Sequence, residues 1–215
     1  MKKRMDEKAF KALLKDGQSI MVGGFMTCGT PETLIDWVLE SKVRDLTIIC
    51  NDAGYPDRGV GKLITARRVT KLIASHIGLN PHAGEQMSQG DLAVELIPQG
   101  TLAEQIRAYG AGLGGILTPT GLKTVVEEGK QKITIKDQTY LLEMALGADL
   151  ALIEVAACDA LGNAVYAKTA RNFNPVMATA AHTVVALTHQ RVADIDPECV
   201  VTPHVFIDHI VLEEV

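Results

Sequence analysis

The chain has 215 residues, 47% hydrophobic, 22% charged and 4% aromatic, with a formal net charge of −5 at pH 7. A chain of this size buries about 70% of its unfolded surface without needing disulfides, so a single domain over 1–215 is expected. The composition excludes a disordered tail, a collagen-like chain and a disulfide-rich miniprotein, and the acidic balance argues against a nucleic-acid binder.

The first residues, Met1-Lys2-Lys3-Arg4, open like a signal peptide, but Asp6, Glu7, Lys8, Lys11, Lys15 and Asp16 leave no apolar stretch behind them. A helix fits better, with Phe10, Leu13 and Leu14 on one face and Gly17 as its stop. Apolar β-type runs follow at Ser19–Val22, Leu46–Cys50, Lys71–Ser75, Leu92–Ile97, Asp149–Val155, Thr183–Leu187 and Val205–Val211. They are nearly continuous rather than alternating, as in strands buried on both faces of a parallel or mixed sheet. Between them lie helix candidates. Pro31–Glu40 has Thr30 as a cap and Leu34/Val38 and Ile35/Leu39 paired at i,i+4. Thr101–Ala108 and Asn174–Ala181 are the others. Lys132–Ile135 and Thr139–Leu142, joined by Lys136-Asp137-Gln138, read as an inserted β-hairpin. The pattern predicts a three-layer α/β/α fold around a mostly parallel open sheet.

Four cysteines, Cys28, Cys50, Cys158 and Cys199, form no C-x-x-C pair, which excludes a zinc or redox motif and fits a reducing, cytoplasmic setting. No window approaches about 18 uncharged apolar residues, so no membrane span is expected. His76, His82, His182, His189, His204 and His209 are scattered, and no metal site is expected.

Glycine is in excess, 19 of 215 residues against a usual ~7%. Gly23-Gly24-Phe25-Met26-Thr27-Cys28-Gly29-Thr30-Pro31 joins a strand to a helix, a place where backbone N–H groups can meet an anion. Gly24 and Gly29 have P-loop spacing, but Thr30-Pro31 stands where Lys-Ser/Thr is required. Gly110, Gly112 and Gly115 formally satisfy G-x-G-x-x-G, yet they follow a helix rather than a strand, so a loop continuing through Thr118-Pro119-Thr120-Gly121 is the better reading. Asn51-Asp52-Ala53-Gly54 and Pro98-Gln99-Gly100-Thr101 are predicted as polar loops after strands, converging with the first glycine cluster on one sheet edge. No nucleophile motif accompanies this rim.

Gly23-Gly24-Phe25, with Gly29 and Pro31, resembles the signature of family I coenzyme A transferases. Asn51–Gly54, Pro98–Thr101, Gly112–Gly114, Thr118–Gly121 and Ala170-Arg171-Asn172-Phe173-Asn174-Pro175 match that family's alpha subunit in order, from about residue 6 to about 212. The resemblance is closest to subunits acting on acetoacetate, butyrate and acetate. It implies that a glutamate on a beta subunit, in an expected α2β2 assembly, attacks an acyl-CoA and becomes a glutamyl-CoA thioester, which a short-chain carboxylate then discharges in ping-pong fashion. CoA is then a substrate, with no resident cofactor. By the same resemblance Gln99 donates a side-chain N–H to the developing oxyanion, and Asn51 and Asp52 line the acyl pocket. Gly23, Gly24 and Phe25, with Gly29 in the same loop, wall the thioester. The family pattern usually has Asn where this chain has Asp52, and a carboxylate there repels a carboxylate substrate unless it is protonated, hydrogen-bonded or turned away. Two further readings are a non-catalytic acyl-CoA binding module and a sugar-phosphate isomerase on a related fold. The isomerase needs an internal base and a cationic clamp that no motif supplies.

Overall fold

The computed structural model describes residues 4–213; Met1–Lys3, the basic start weighed as a signal peptide, lie outside them. In chain order the elements are α1 (Glu7–Lys11), β1 (Ser19–Val22), α2 (Glu32–Ser41), β2 (Leu46–Cys50), α3 (Gly61–Thr65), β3 (Val69–Ala74), α4 (Pro81–Gln89), β4 (Ala93–Leu96), α5 (Gln99–Gly110), β5 (Gly115–Thr118), β6 (Lys132–Ile135), β7 (Gln138–Met144), β8 (Ala148–Glu154), β9 (Ala157–Cys158), β10 (Ala164–Val165), α6 (Asn174–Met177), β11 (Ala181–Thr188) and β12 (His209–Leu212). Seven strands form one sheet in the order β12-β11-β8-β1-β2-β3-β4, and every neighbouring pair is parallel.

The apolar runs are continuous because both faces of this sheet are covered. Ile20, Ile48, Leu72, Leu150, Leu152 and Val185 pack with Phe10, Leu34, Ile35 and Leu63 from α1–α3. Met21, Ile49, Ile73, Ala151, Ile153 and Ala186 face the other way, onto Leu102, Ile106 and Met177 of α5 and α6. The result is the expected three-layer α/β/α arrangement. The chain builds outward from β1 in both directions, through β2, β3 and β4 on one side and β8, β11 and β12 on the other. The β1/β8 boundary is therefore a topological switch point, where the carboxyl ends of the strands leave a crevice. The loop after β1 emerges there.

The expected hairpin is present as β6 and β7, and β5 extends it to a three-stranded antiparallel sheet. Its Glu143 accepts from Gln105 of α5 at 3.1 Å and from Lys130 at 2.6 Å, which fastens the small sheet beside α5.

Several boundaries differ from the sequence expectations. Helix α1 stops at Lys11, well before Gly17. Helix α2 begins at Glu32, and Thr30 gives it no side-chain cap. The Asn174–Ala181 helix is one turn, Asn174–Met177, because Ala181 is already hydrogen-bonded into the sheet opposite Ala148. The Val205–Val211 run is a 3-10 turn at His204–Phe206 followed by β12. Gly115–Thr118, expected in a loop, is strand β5, its pairing with β7 outweighing its glycine-rich flank. Among the described residues no helix is long and apolar enough to cross a membrane.

Candidate active site

The loop after β1 is folded by its own strain and packing. Phe25 and Cys28 exchange backbone hydrogen bonds of 3.1 and 2.9 Å around Met26 (φ 46°) and Thr27 (φ 66°). Two left-handed central residues make a tight two-residue reverse turn, and neither is glycine. Such backbone costs of order 1–3 kcal/mol per residue and persists only where neighbours hold it. One neighbour is Asp52, whose Oδ2 accepts the Met26 N–H at 2.8 Å. The turn leaves Phe25 41% exposed at the rim.

The glycines of this loop are required by the protein's own packing. A Cβ on Gly23 would lie 1.9 Å from Asn174 Oδ1. One on Gly24 (φ 118°) would lie 2.0 Å from Thr30 Oγ1, and one on Gly29 (φ 72°) 2.8 Å from Ala170 Cβ. Gly24 and Gly29 thus need both left-handed backbone and an absent side chain. Asn174, fully buried, crosses the switch point. Its Nδ2 donates to the carbonyls of Gly29 and Ala170, both at 2.9 Å, and its Oδ1 accepts from the Glu154 N–H at 3.0 Å. Asn172 adds a bond from Nδ2 to the Cys28 carbonyl at 2.9 Å. The segment Ala170–Pro175 is therefore the clasp that holds the glycine loop against the end of β8.

On the other side of the loop, polar side chains link the ends of β2, β3 and β4. Asn51 is only 3% exposed. Its Nδ2 donates to Asp52 Oδ2 at 2.7 Å, and its Oδ1 accepts from Gln99 Nε2 at 2.6 Å and Ser75 Oγ at 3.3 Å. Ser75 Oγ also donates to the Asn51 carbonyl at 2.8 Å. Asp52 completes the set by accepting the Gly54 N–H at 3.0 Å. Asp52 is thus a buried carboxylate, 7% exposed, held by three N–H donors rather than by a cation. Burial first, and the Asp52 charge second, push the neighbouring Cys50 thiol well above its ordinary pKa and leave it unsuited to act as a thiolate.

Gln99 is the first residue of α5 rather than a loop residue. An amide nitrogen has two hydrogens, so beside the bond to Asn51 Gln99 carries a second N–H, for which the described residues show no further hydrogen bond. Gln99 borders a largely apolar cleft of about 480 Å³, together with Phe25, Gly100, Arg107, Arg171 and Phe173. Gly23, Gly24, Asn51 and Asp52 line a separate small cavity of about 10 Å³, room for one water. Burial raises the carboxyl pKa of Glu154 at the end of β8, and the nearby His189 opposes that rise. Among the described residues no group of three His, Cys, Asp or Glu side chains is placed to hold a metal.

The structure brings the residues singled out in the sequence to one edge. Asn51, Asp52 and Gln99 are joined by hydrogen bonds, and Asp52 reaches the Gly23–Gly29 loop through Met26. Gly29 lies on the Asn174 side of the loop, away from that ladder. Ser75 and the clasping place of Asn174 stand outside the sequence expectations. Ser75 was detectable as a polar residue closing an apolar strand. Asn174 carries no such signal, because its role arises only where two distant segments meet.

A glycine loop at the switch point of a parallel three-layer sheet, flanked by an amide–carboxylate ladder and an open apolar cleft, defines a ligand-binding α/β chain. The chain belongs to the coenzyme A transferase family, described as "Coenzyme A transferase", whose model matches residues 3–213. It is 54% identical over 202 residues to the acetate CoA-transferase subunit alpha of Escherichia coli K12, covering 93% of this chain and 92% of that one. It is 50% identical over 205 residues to the acetoacetyl-CoA:acetate/butyrate CoA transferase alpha subunit of Clostridium acetobutylicum, covering 94% of each. In fold it is similar to the acyl-CoA transferase apoenzyme of Escherichia coli O157:H7, with a TM-score of 0.86 at 22% identity. That match covers 98% of this chain and 47% of the solved one, so this chain spans about half its length. These comparisons give no support to a binding module or a sugar-phosphate isomerase.

Proposed function

We propose that the chain is the alpha subunit of a heteromeric short-chain acyl-CoA:carboxylate CoA-transferase acting on acetoacetate, butyrate and acetate. The observation that carries this reading is Gln99, held through one N–H by Asn51 at the border of the cleft, with no further hydrogen bond among the described residues to its second N–H. Such a donor suits the oxyanion that develops when a carboxylate adds to a thioester carbonyl. The nucleophile is a glutamate of a beta-type subunit, whose carboxylate oxygen attacks the acyl-CoA carbonyl. CoA thiolate leaves to give an acyl-glutamyl anhydride, then attacks the glutamyl carbonyl and releases the first carboxylate. The glutamyl-CoA thioester returns CoA to the second carboxylate by the reverse steps.

In this assignment Gln99 stabilises each tetrahedral oxyanion. Asn51 and Asp52 bound the acyl end of the pocket, and the Gly23-Gly24-Phe25 turn with Gly29 walls the thioester. The partner closes the cleft from outside and shields the anhydride from water. CoA is a substrate and there is no resident cofactor. One domain over 1–215, an α2β2 assembly and a cytoplasmic location complete the proposal. The test is co-expression with a beta-type subunit, followed by an assay of CoA transfer from acetoacetyl-CoA to acetate or butyrate. A stable complex that turns over supports the reading; a stable complex that transfers CoA between no pair of short acyl groups contradicts it.

A further inference from the structure

We infer that Arg171 is the carboxylate-binding residue of the cleft beside Gln99; this rests on the reaction proposed above. That reaction brings two carboxylates to the cleft, the glutamate of the beta-type subunit and the acid that exchanges with it. The walls that receive them are largely apolar, and a carboxylate losing water there needs a compensating charge. The ladder does not supply one: Asp52 is itself negative and is held by N–H groups. Of the residues lining the cleft only Arg107 and Arg171 are charged. Arg107 is engaged, its Nε lying 3.2 Å from both carboxylate oxygens of Glu104 on the same helix. Among the described residues no carboxylate pairs with Arg171 and no hydrogen bond occupies its guanidinium.

The backbone beneath Arg171 is fixed although its side chain is exposed. The residue closes a 3-10 turn, Lys168–Arg171. On one side of it the Ala170 carbonyl accepts from Asn174 Nδ2 at 2.9 Å. On the other, Asn172 Nδ2 donates to the carbonyls of Cys28 at 2.9 Å and Thr169 at 2.7 Å, and Phe173 is buried. A long cation is thus carried on a rigid base at the border of the cleft. Its planar fork of N–H donors matches the two oxygens of a carboxylate, whereas an ammonium offers only a point charge. Closure of the cleft by the partner removes water from the pair and strengthens it. Gln99 then serves the oxyanion that develops on the carbonyl, and Arg171 captures and orients the carboxylate.

The experiment compares the complex of this chain and its beta-type subunit as wild type, Arg171→Gln and Arg171→Lys. Initial rates with acetoacetyl-CoA and acetate varied separately give kcat/KM for each half of the ping-pong cycle. The expected result for Arg171→Gln is a kcat/KM for acetate about tenfold below wild type, partly recovered in Arg171→Lys. If kcat/KM for acetoacetyl-CoA stays within about threefold, the carboxylate held is the incoming acid. If it falls to the same degree, the carboxylate held is the glutamate, which both halves use. A fall of less than about threefold in kcat/KM for acetate overturns the assignment, including the case in which only the value for acetoacetyl-CoA drops, the mark of a contact with CoA. Should Arg171→Gln fail to assemble, Arg171→Lys decides alone, and wild-type kcat/KM for acetate in that variant overturns the assignment. Failure of the proposed function shows separately, as a wild-type complex that transfers no CoA.

Discussion

Replacing Gly23 by alanine asks whether that glycine is small for the protein's sake. The added Cβ would sit 1.9 Å from Asn174 Oδ1 and 2.6 Å from its Cγ, so the asparagine amide has to move. It is fully buried and serves three backbone groups: the Glu154 N–H and the carbonyls of Gly29 and Ala170. Leaving buried polar groups unpaired costs about 1–3 kcal/mol each, and some relaxation is available at the loop, so about 3–5 kcal/mol is expected in total. For a chain of this size that is a fall in Tm of roughly 6–20 °C. Thermal melts of Gly23→Ala, Asn174→Ala and the double variant separate the causes. Because both single changes remove the same three bonds, the double variant should melt within about 2 °C of Asn174→Ala alone. A Gly23→Ala protein as stable as wild type, or one whose destabilisation persists in full without Asn174, would refute the clasp.

Three other outcomes are expected. Gln99→Ala in the assembled enzyme should lower kcat about 10²-fold with assembly intact, read by steady-state kinetics and size-exclusion chromatography. In native protein at neutral pH, an alkylating reagent should modify the exposed Cys28 and Cys199, while the buried Cys50 and Cys158, whose thiol pKa values are raised by burial, stay unmodified by intact mass. Asp149 receives the Ser19 hydroxyl at 2.6 Å and N–H at 2.9 Å, which hold its pKa below the ordinary 3.8. Its contribution to stability is therefore present above that value and lost as pH falls through the lower folded one. Denaturant melts of Asp149→Asn should show a shallower loss of stability on the acid side than wild type, and little pH-dependent difference near neutrality.

Much of the architecture was legible because burial on both faces writes itself into the strands. Leu46–Cys50 is apolar but for Thr47, and Leu150–Ile153 is apolar throughout, as strands buried on both faces require. What escaped was structure whose signal is spread thinly. Helix α4 buries little beyond Ala83 and Gln86 and contains a proline and a glycine, so its periodicity is weak; its capping Asn80, accepting from His82 N–H at 3.1 Å, does more to start it. The Met26-Thr27 turn was hidden for the opposite reason. Nothing in those residue types favours left-handed backbone, which Asp52 imposes from a strand away. The glycines drew attention to the loop as a place of close approach, correctly, but the groups that approach Gly23, Gly24 and Gly29 are Asn174, Thr30 and Ala170, contributed largely by a segment about 145 positions later. At Asp52, where the sequence predicts repulsion of a carboxylate substrate unless the side chain is protonated, hydrogen-bonded or turned away, the hydrogen-bonded case holds: its oxygens accept from three N–H groups.

The central claim is that this chain supplies the oxyanion donor and its partner supplies the nucleophile. It is tested most directly by incubating the complex of this chain and a beta-type subunit with acetoacetyl-CoA alone, without an acceptor carboxylate, and measuring the intact mass of each subunit after denaturation. The account predicts one CoA thioester on the beta-type subunit, discharged by added acetate, and an unmodified alpha chain; a covalent adduct on this chain instead would contradict it.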